Sequence, residues 1–196
     1  MEMKTKINSQ YPHHIIEDNS SDIYISDYTD QTKNSSIKKK VEISTTKPID
    51  IKSFFIKNNK NVSFSSIKFD NKSFVNEAGD TLSQCECICF SMADYIRGPW
   101  ILLLELKYCS SNSKYKKSSM EIAKTQLLAT YNYYKQKGII NNKQQCYLVV
   151  SLPNFNPPFP NFACTQSEVK NMKKLKKVIF RGVNELKIKN EFKLEV

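Results

Sequence analysis

The sequence predicts an α/β protein whose core is a mixed β-sheet, and three observations favour this class. An almost continuous apolar run at residues 101–108 is typical of a central strand that is buried on both faces. An amphipathic segment with helix signals follows at residues 118–137, and a second apolar strand comes next at residues 146–151. The chain has 196 residues, enough to bury one sizeable core, so we expect one compact domain.

The N-terminal quarter differs in composition from the rest of the chain. Residues 1–45 are rich in Ser, Asn, Asp, Thr and Lys, and they lack periodicity beyond the alternating segment Asp22–Ser26. We therefore expect a flexible or peripheral N-terminal arm at residues 1–45 and a folded domain at residues 46–196.

The first half of the predicted domain has the pattern of one helix followed by strands. Thr46-Lys-Pro48 is a helix start signal, and the apolar residues behind it predict a short helix ending near Asn58. Residues 62–69, 72–75 and 84–90 alternate imperfectly and predict extended pieces that precede the central strand.

The second half begins with the best helix signal in the chain. Ser118 and Glu121 have capping-box spacing, and Gly138 follows where the helix should end. Four prolines then predict a rigid, non-helical segment at residues 152–162, after the strand at residues 146–151. The tail predicts a basic helix near residues 167–177 and a final alternating segment at residues 183–196.

The positive charge is concentrated outside the N-terminal segment. The formal net charge is +11; residues 1–50 contain 7 lysines and 8 acidic residues, whereas residues 51–196 contain 23 basic and 11 acidic residues. The densest runs are Lys114–Lys117 and Lys173–Lys177. Such a field favours a polyanionic partner, and we expect nucleic acid, with DNA as the first candidate. The alternative is that lysines merely solvate the surface of a Lys- and Asn-rich chain.

The cysteines and the absence of long apolar runs indicate a cytoplasmic protein. No apolar run reaches the ~18–20 residues of a membrane span, so we expect no membrane association. Cys85, Cys87 and Cys89 alternate along one predicted strand, where neighbouring thiols cannot bridge each other. Three thiols on one strand face also fit a tetrahedral zinc ion poorly, and no C-x-x-C pair completes a site.

The candidate site lies at the polar end of the central strand. Glu105 and Lys107 are separated by one residue, so both side chains emerge on the same face of the strand. Burying these charges is costly unless they pair or hold a ligand. The alternative is that the strand reaches the surface here and the two residues form a solvated ion pair.

A second acid, Glu86, lies on the preceding predicted strand between Cys85 and Cys87. If the two strands are neighbours, the carboxylates of Glu86 and Glu105 converge, and they repel each other unless a cation lies between them. Oxygen ligands of this kind suit Mg²⁺ or Mn²⁺. A lysine beside the ion can orient a water molecule or stabilise charge that develops on a phosphate.

This arrangement resembles the PD-(D/E)XK nuclease superfamily over roughly residues 60–151. Glu105 and Lys107 match its acid-x-Lys half-motif, and Gln126 matches the polar residue often found on the following helix. The resemblance implies a restriction-endonuclease-like mixed sheet flanked by helices, and Mg²⁺ or Mn²⁺ held by Glu86, Glu105 and the backbone carbonyl of Leu106. Glu86 departs from the usual aspartate, and Asp94 is the competing candidate for that position.

Several functions are compatible with these residues. The resemblance implies a metal-dependent nuclease that hydrolyses phosphodiester bonds in defence, mobile-element maintenance or repair, and it also implies a possible homodimer. The alternative is a catalytically inactive module of the same fold that binds nucleic acid or protein, which the glutamate at position 86 favours. A third hypothesis is an accessory partner of a larger nuclease.

Overall fold

The computed structural model describes residues 2–70, 72–93, 97–109, 113–157, 159, 167, 170 and 177–196, with side chains from residue 118 onward in the third helix. The helices with defined bounds are α1 (Glu2–Gln10), α2 (Thr29–Thr32) and α3 (Ser113–Gln136). The strands are β1 (Ile16–Asn19), β2 (Ile23–Asp27), β3 (Val41–Ser44), β4 (Phe54–Lys57), β5 (Phe64–Lys68), β6 (Cys87–Ser91), β7 (Trp100–Leu106), β8 (Gln145–Ser151), β9 (Val178–Gly182), β10 (Glu185–Asn190) and β11 (Lys193–Glu195).

The described strands form two mixed sheets. Sheet A has six strands in the order β1-β5-β6-β7-β8-β9. Its first four strands are antiparallel neighbours, whereas β7, β8 and β9 are parallel. Sheet B has five strands in the order β11-β10-β4-β2-β3, and only its β10–β4 pair is parallel. The prediction of an α/β protein with a mixed sheet is confirmed at this level.

Strand β7 is the centre of the molecule because both of its faces are covered. Ile101 and Leu103 pack into a core with α1 and α3, whereas Leu102 and Leu104 pack into a second core shared with sheet B. All seven of its residues are buried, which explains why the sequence here is almost uniformly apolar. Helices α1 and α3 therefore cover one face of sheet A, and sheet B covers the other.

Helix α3 follows the predicted amphipathic pattern. Ala123, Leu127, Tyr131 and Tyr134 are buried at three- to four-residue spacing against sheet A. Gly138 adopts φ +68° just after the helix, a conformation that side chains with a Cβ rarely take, so it ends the helix as predicted.

The prediction of a helix from Thr46 to Asn58 is wrong. The only regular element there is β4, in which Phe54 and Ile56 are fully buried while Phe55 is half-buried and Lys57 is exposed. This alternation has the period of a strand, and β4 is held between β2 and β10 in sheet B. Tertiary pairing therefore overrides the local start signal.

Residues 2–44, which were expected to form an arm, contribute strands to both sheets. β1 pairs with β5 at the edge of sheet A, and β2 lies between β3 and β4 in sheet B. Ile7 on α1 and Ile23 and Ile25 on β2 are fully buried. These contacts bring N-terminal side chains close to the end of β7.

The C-terminal predictions have different outcomes. The alternating segment at residues 183–196 forms β10 and β11. The predicted basic helix at residues 167–177 and the run Lys173–Lys177 fall mostly outside the described residues, as do the side chains of Lys114–Lys117. None of the described helices is both long enough and apolar enough to cross a membrane.

Candidate functional site

The candidate site is built at the end of β7, where the strand leaves the core. Glu105 has 0% exposure and lies opposite Val150 of the parallel strand β8. The pairing continues one residue beyond β7, because the backbone N–H of Lys107 donates to the carbonyl oxygen of Ser151 at 2.9 Å. Two buried strands therefore fix the backbone that carries both charges.

Glu105 and Lys107 form a sheltered ion pair. The Lys107 Nζ lies 2.5 Å from Glu105 Oε1, and the side chains of Lys107 and Glu105 are 23% and 0% exposed. The alternative of a solvated surface pair is therefore excluded. Within the described part of the chain, neither oxygen of the Glu105 carboxylate accepts a hydrogen bond of normal geometry. One lysine is a poor substitute for the water that hydrates an exposed carboxylate.

Glu86 lies immediately before β6 and is held by the strands on both sides. Its N–H donates to the Leu104 carbonyl at 3.1 Å, and its carbonyl accepts the Phe69 N–H at 2.9 Å. The register places Cys87 opposite Leu104 as well, so two consecutive residues face one, as in a β-bulge. Cys85 consequently packs in the core under α3, whereas Cys87 and Cys89 pack towards sheet B. The expectation that the three thiols share one face is wrong for this reason.

The pKa values of both carboxyls are raised. Burial first, and then the negative charge of Glu86, raise the pKa of Glu105 to about 8, although the Lys107 ammonium opposes the rise. Burial first, and then the charge of Asp27, raise the pKa of Glu86 to about 7. At neutral pH the unliganded pair therefore retains protons that a bound cation would displace.

The residues around this pair line a cleft of about 470 Å³. Its acidic lining residues are Asp27, Asp30, Asp70 and Glu86, and its basic ones are Lys40 and Lys107. The cleft is therefore an acidic depression on a protein whose formal net charge is +11. Glu105 is fully buried and reaches the cleft through its ion pair with Lys107.

Gln126 on α3 also lines this cleft. Its Nε2 donates to the Gln84 carbonyl at 3.0 Å, which fixes the orientation of the amide. Its Oε1 is buried and has no hydrogen-bond partner among the described residues. An acceptor left open in this way is suited to a ligand or a water molecule in the cleft.

The structure brings most of the predicted site residues together. Glu86, Leu106, Lys107 and Gln126 all line the cleft, and Glu105 touches it through Lys107. Asp94, the competing candidate for the first acid, lies outside the described residues.

Asp27 is a site residue that the sequence did not predict. It is the last residue of β2 and lines the cleft, and its charge raises the pKa of Glu86. Its Oδ1 accepts hydrogen bonds from the backbone N–H and the hydroxyl of Thr29, at 2.9 and 2.6 Å. The only sequence signal was the alternating segment Asp22–Ser26 just before it. The pairing of β2 with β4, which carries Asp27 to the site, cannot be inferred from the sequence.

The donor set suits a hard divalent cation with few protein ligands. Among the described residues, no group of three or more His, Cys, Asp or Glu side chains is placed to hold a metal ion. Mg²⁺ commonly uses one or two carboxylates and keeps several of its waters. Glu86, Glu105 and the Leu106 carbonyl are the oxygen donors that could hold such an ion, since Glu105 pairs only through Oε1 with Lys107 and the cleft has excess acid.

In comparisons with known proteins, no family model, no curated protein and no solved structure matches this chain. The function must therefore be inferred from the site itself, that is, from its charges, its burial and the elements that hold it.

Proposed function

We propose that this chain is a metal-dependent nuclease that hydrolyses phosphodiester bonds of nucleic acid, with DNA as the expected substrate. The observation that carries the proposal is the Glu105–Lys107 pair, buried at the end of a central strand with Glu86 beside it. Charged side chains that are buried at the end of a strand, despite the free-energy cost of desolvating them, are typical of functional sites.

The order of elements around the pair supports the proposal. β5, β6 and β7 form an antiparallel meander, α3 follows, and β8 returns parallel to β7. This is the order expected for a restriction-endonuclease-like core, with the first acid beside the second of these strands and the acid-x-Lys on the third. Gln126 lies on the helix that follows them, and the resemblance implies a polar residue on that helix.

In the proposed reaction, water adds across one P–O bond of the backbone. The water oxygen bonds to phosphorus, and the leaving oxygen departs with a proton. Glu86, Glu105 and the Leu106 carbonyl would hold Mg²⁺ or Mn²⁺, which supplies a Lewis acid and an acidified water when bound. Lys107 can donate to the attacking water or to a phosphate oxygen that gains charge, since its ammonium is held at the wall of the cleft.

One observation favours a second candidate, a catalytically inactive module that binds nucleic acid. The Lys107 ammonium already gives Glu105 an internal counterion at 2.5 Å. A site neutralised in this way can persist as a structural feature without a metal ion. Such a protein would bind DNA through its positive surface and leave the strand intact.

Cleavage of plasmid and linear duplex DNA with Mg²⁺, Mn²⁺ or EDTA tests the proposal. Glu105→Gln keeps the shape of the side chain and removes its charge, and Lys107→Ala removes the ammonium. Each substitution should lower the cleavage rate about 100-fold or more. Glu121→Gln and Lys189→Ala, at exposed positions on α3 and β10, are matched controls that should cut like the wild type. DNA binding without cleavage under any divalent ion would favour the inactive module.

A further inference from the structure

A second depression of about 210 Å³ adjoins the acidic cleft, and we call it the basic groove. It is lined by His13, His14, Ile15, Lys40, Val41, Lys68, Phe69, Asp70 and Ser73. Lys40, Phe69 and Asp70 also line the cleft, so the two depressions are neighbours that share a wall. A ligand that extends beyond this shared wall would enter the groove.

The two depressions have opposite charge. The groove offers two lysines and two histidines against a single acid, Asp70. The carboxylate of Asp70 is partly occupied, because its Oδ1 accepts the Lys72 N–H at 2.8 Å and the Ser73 hydroxyl at 3.2 Å. The cleft, by contrast, has four acidic residues against two lysines in its lining. The sign of the charge thus changes across the shared wall, which holds both Lys40 and Asp70.

Three of the basic side chains are available to a ligand, and the fourth is not. His14 is buried, with Nε2 3.1 Å from the Ser73 carbonyl and Nδ1 3.3 Å from the Tyr134 hydroxyl, so both ring nitrogens are used. Burial lowers its pKa, and it serves as a neutral wall. His13 is exposed and contacts the same carbonyl through Nε2 alone, at 3.2 Å.

The two lysines differ in how far they are already neutralised. Lys40 is exposed, and its interaction with Asp70 is one of charge alone, which helps to lower the pKa of that carboxyl. Lys68 pairs with Glu17 at 3.1 Å, but its side chain remains 36% exposed. An exposed pair of this kind is weak and exchanges readily for a phosphate.

We propose that the basic groove binds a backbone phosphate of the same nucleic-acid strand whose neighbouring phosphate occupies the acidic cleft. Lys40 contacts the strand at the junction, and Lys68 and His13 contact it within the groove. This proposal rests on the proposed function, because it needs a phosphodiester in the cleft. Its physical basis is that an acidic cleft alone repels a strand, so adjacent cations must supply attraction.

Duplex binding in Ca²⁺ tests the proposal without requiring cleavage. A fluorescent duplex oligonucleotide is titrated by anisotropy at several salt concentrations against the wild type and the double variant Lys40→Ala/Lys68→Ala. The double variant should bind at least 10-fold more weakly. The slope of log K against log salt should fall by about 0.9 for each phosphate that the variant no longer neutralises. The control Lys187→Ala/Lys189→Ala removes the same charge from exposed positions of β10 and should change both quantities much less.

The outcomes separate this inference from the proposed function. Equal weakening of binding in the two double variants would contradict the proposal that the basic groove binds a backbone phosphate. A wild type whose duplex binding does not depend on salt would contradict it as well. Absence of cleavage with Mg²⁺ and Mn²⁺, together with binding that still depends on Lys40 and Lys68, would overturn only the nuclease activity. Thermal unfolding of each variant is the control for folding. The unfolding temperature should stay close to that of the wild type, because both groove lysines are on the surface.

Discussion

Replacing Glu105 with Gln should change how the stability of the metal-free protein depends on pH. The carboxyl has an ordinary pKa of 4.5 and a folded-state pKa raised to about 8. Between these values the folded state keeps a proton that the unfolded state has released. Stability contributed by this group is therefore full below pH 4.5 and is lost as the pH rises through about 8.

The magnitude follows from one proton. A difference of one bound proton changes the free energy of unfolding by about 1.4 kcal/mol per pH unit. Between about pH 5.5 and 7.5 the wild type should therefore lose up to about 2.7 kcal/mol of unfolding free energy through Glu105. Glu86, whose pKa is raised to about 7, adds a loss of the same sign over the lower part of this range. The amide of Glu105→Gln cannot ionise, so the part of the loss in unfolding free energy that comes from residue 105 should vanish.

Urea denaturation in EDTA at about pH 5.5, 6.5 and 7.5 measures the effect. The single tryptophan, Trp100, is fully buried and reports unfolding by fluorescence. Across this range the Gln variant should lose less stability than the wild type, by at least about 1 kcal/mol, whereas the exposed control Glu121→Gln should follow the wild type. Parallel pH profiles for wild type and Glu105→Gln would show that the carboxyl titrates normally, and the reasoning about burial would be refuted.

Three further predictions concern the binding of Mg²⁺, the carboxylate of Asp27 and the packing of the central strand β7. Because Mg²⁺ must displace protons from Glu86 and Glu105, its apparent affinity should rise between about pH 6 and 8, and calorimetry in buffers of different ionisation enthalpy should detect proton release. Burial and then the charge of Asp27 raise the pKa of Glu86, so Asp27→Asn should lower that pKa part of the way in a carbon-13 NMR titration of labelled glutamate. Leu103→Ala should cost about 2–5 kcal/mol of unfolding free energy in urea, and the exposed Ile122→Ala less than about 0.5 kcal/mol.

The parts of the fold that the sequence predicts are those with strong local patterns. β7 is apolar on both faces because two cores contact it, and α3 has a buried stripe and a terminal glycine. β4 shows the limit of this reasoning, since the same apolar residues suit a helix or a strand until β2 and β10 pair with it. The N-terminal strands are short, and their pairing partners lie far away in sequence, so composition alone suggested an arm.

The candidate site divides in the same way. Glu105 and Lys107 are one residue apart on a strand, so their proximity follows from strand geometry. The position of Glu86 near Glu105 follows from its place beside the neighbouring strand. The bulge-like pairing opposite Leu104, however, breaks the simple alternation of side chains around Glu86, and the sequence does not predict it. Asp27 is brought in by sheet B, through pairings for which no local pattern exists.

The most direct test of the nuclease proposal is the single-turnover rate of duplex cleavage with Mg²⁺, compared between the wild type, Glu105→Gln and Lys107→Ala. We predict that the wild type cuts, that EDTA abolishes cutting, and that both substitutions lower the rate about 100-fold or more. Cleavage at the wild-type rate by both variants would contradict the assignment of this site.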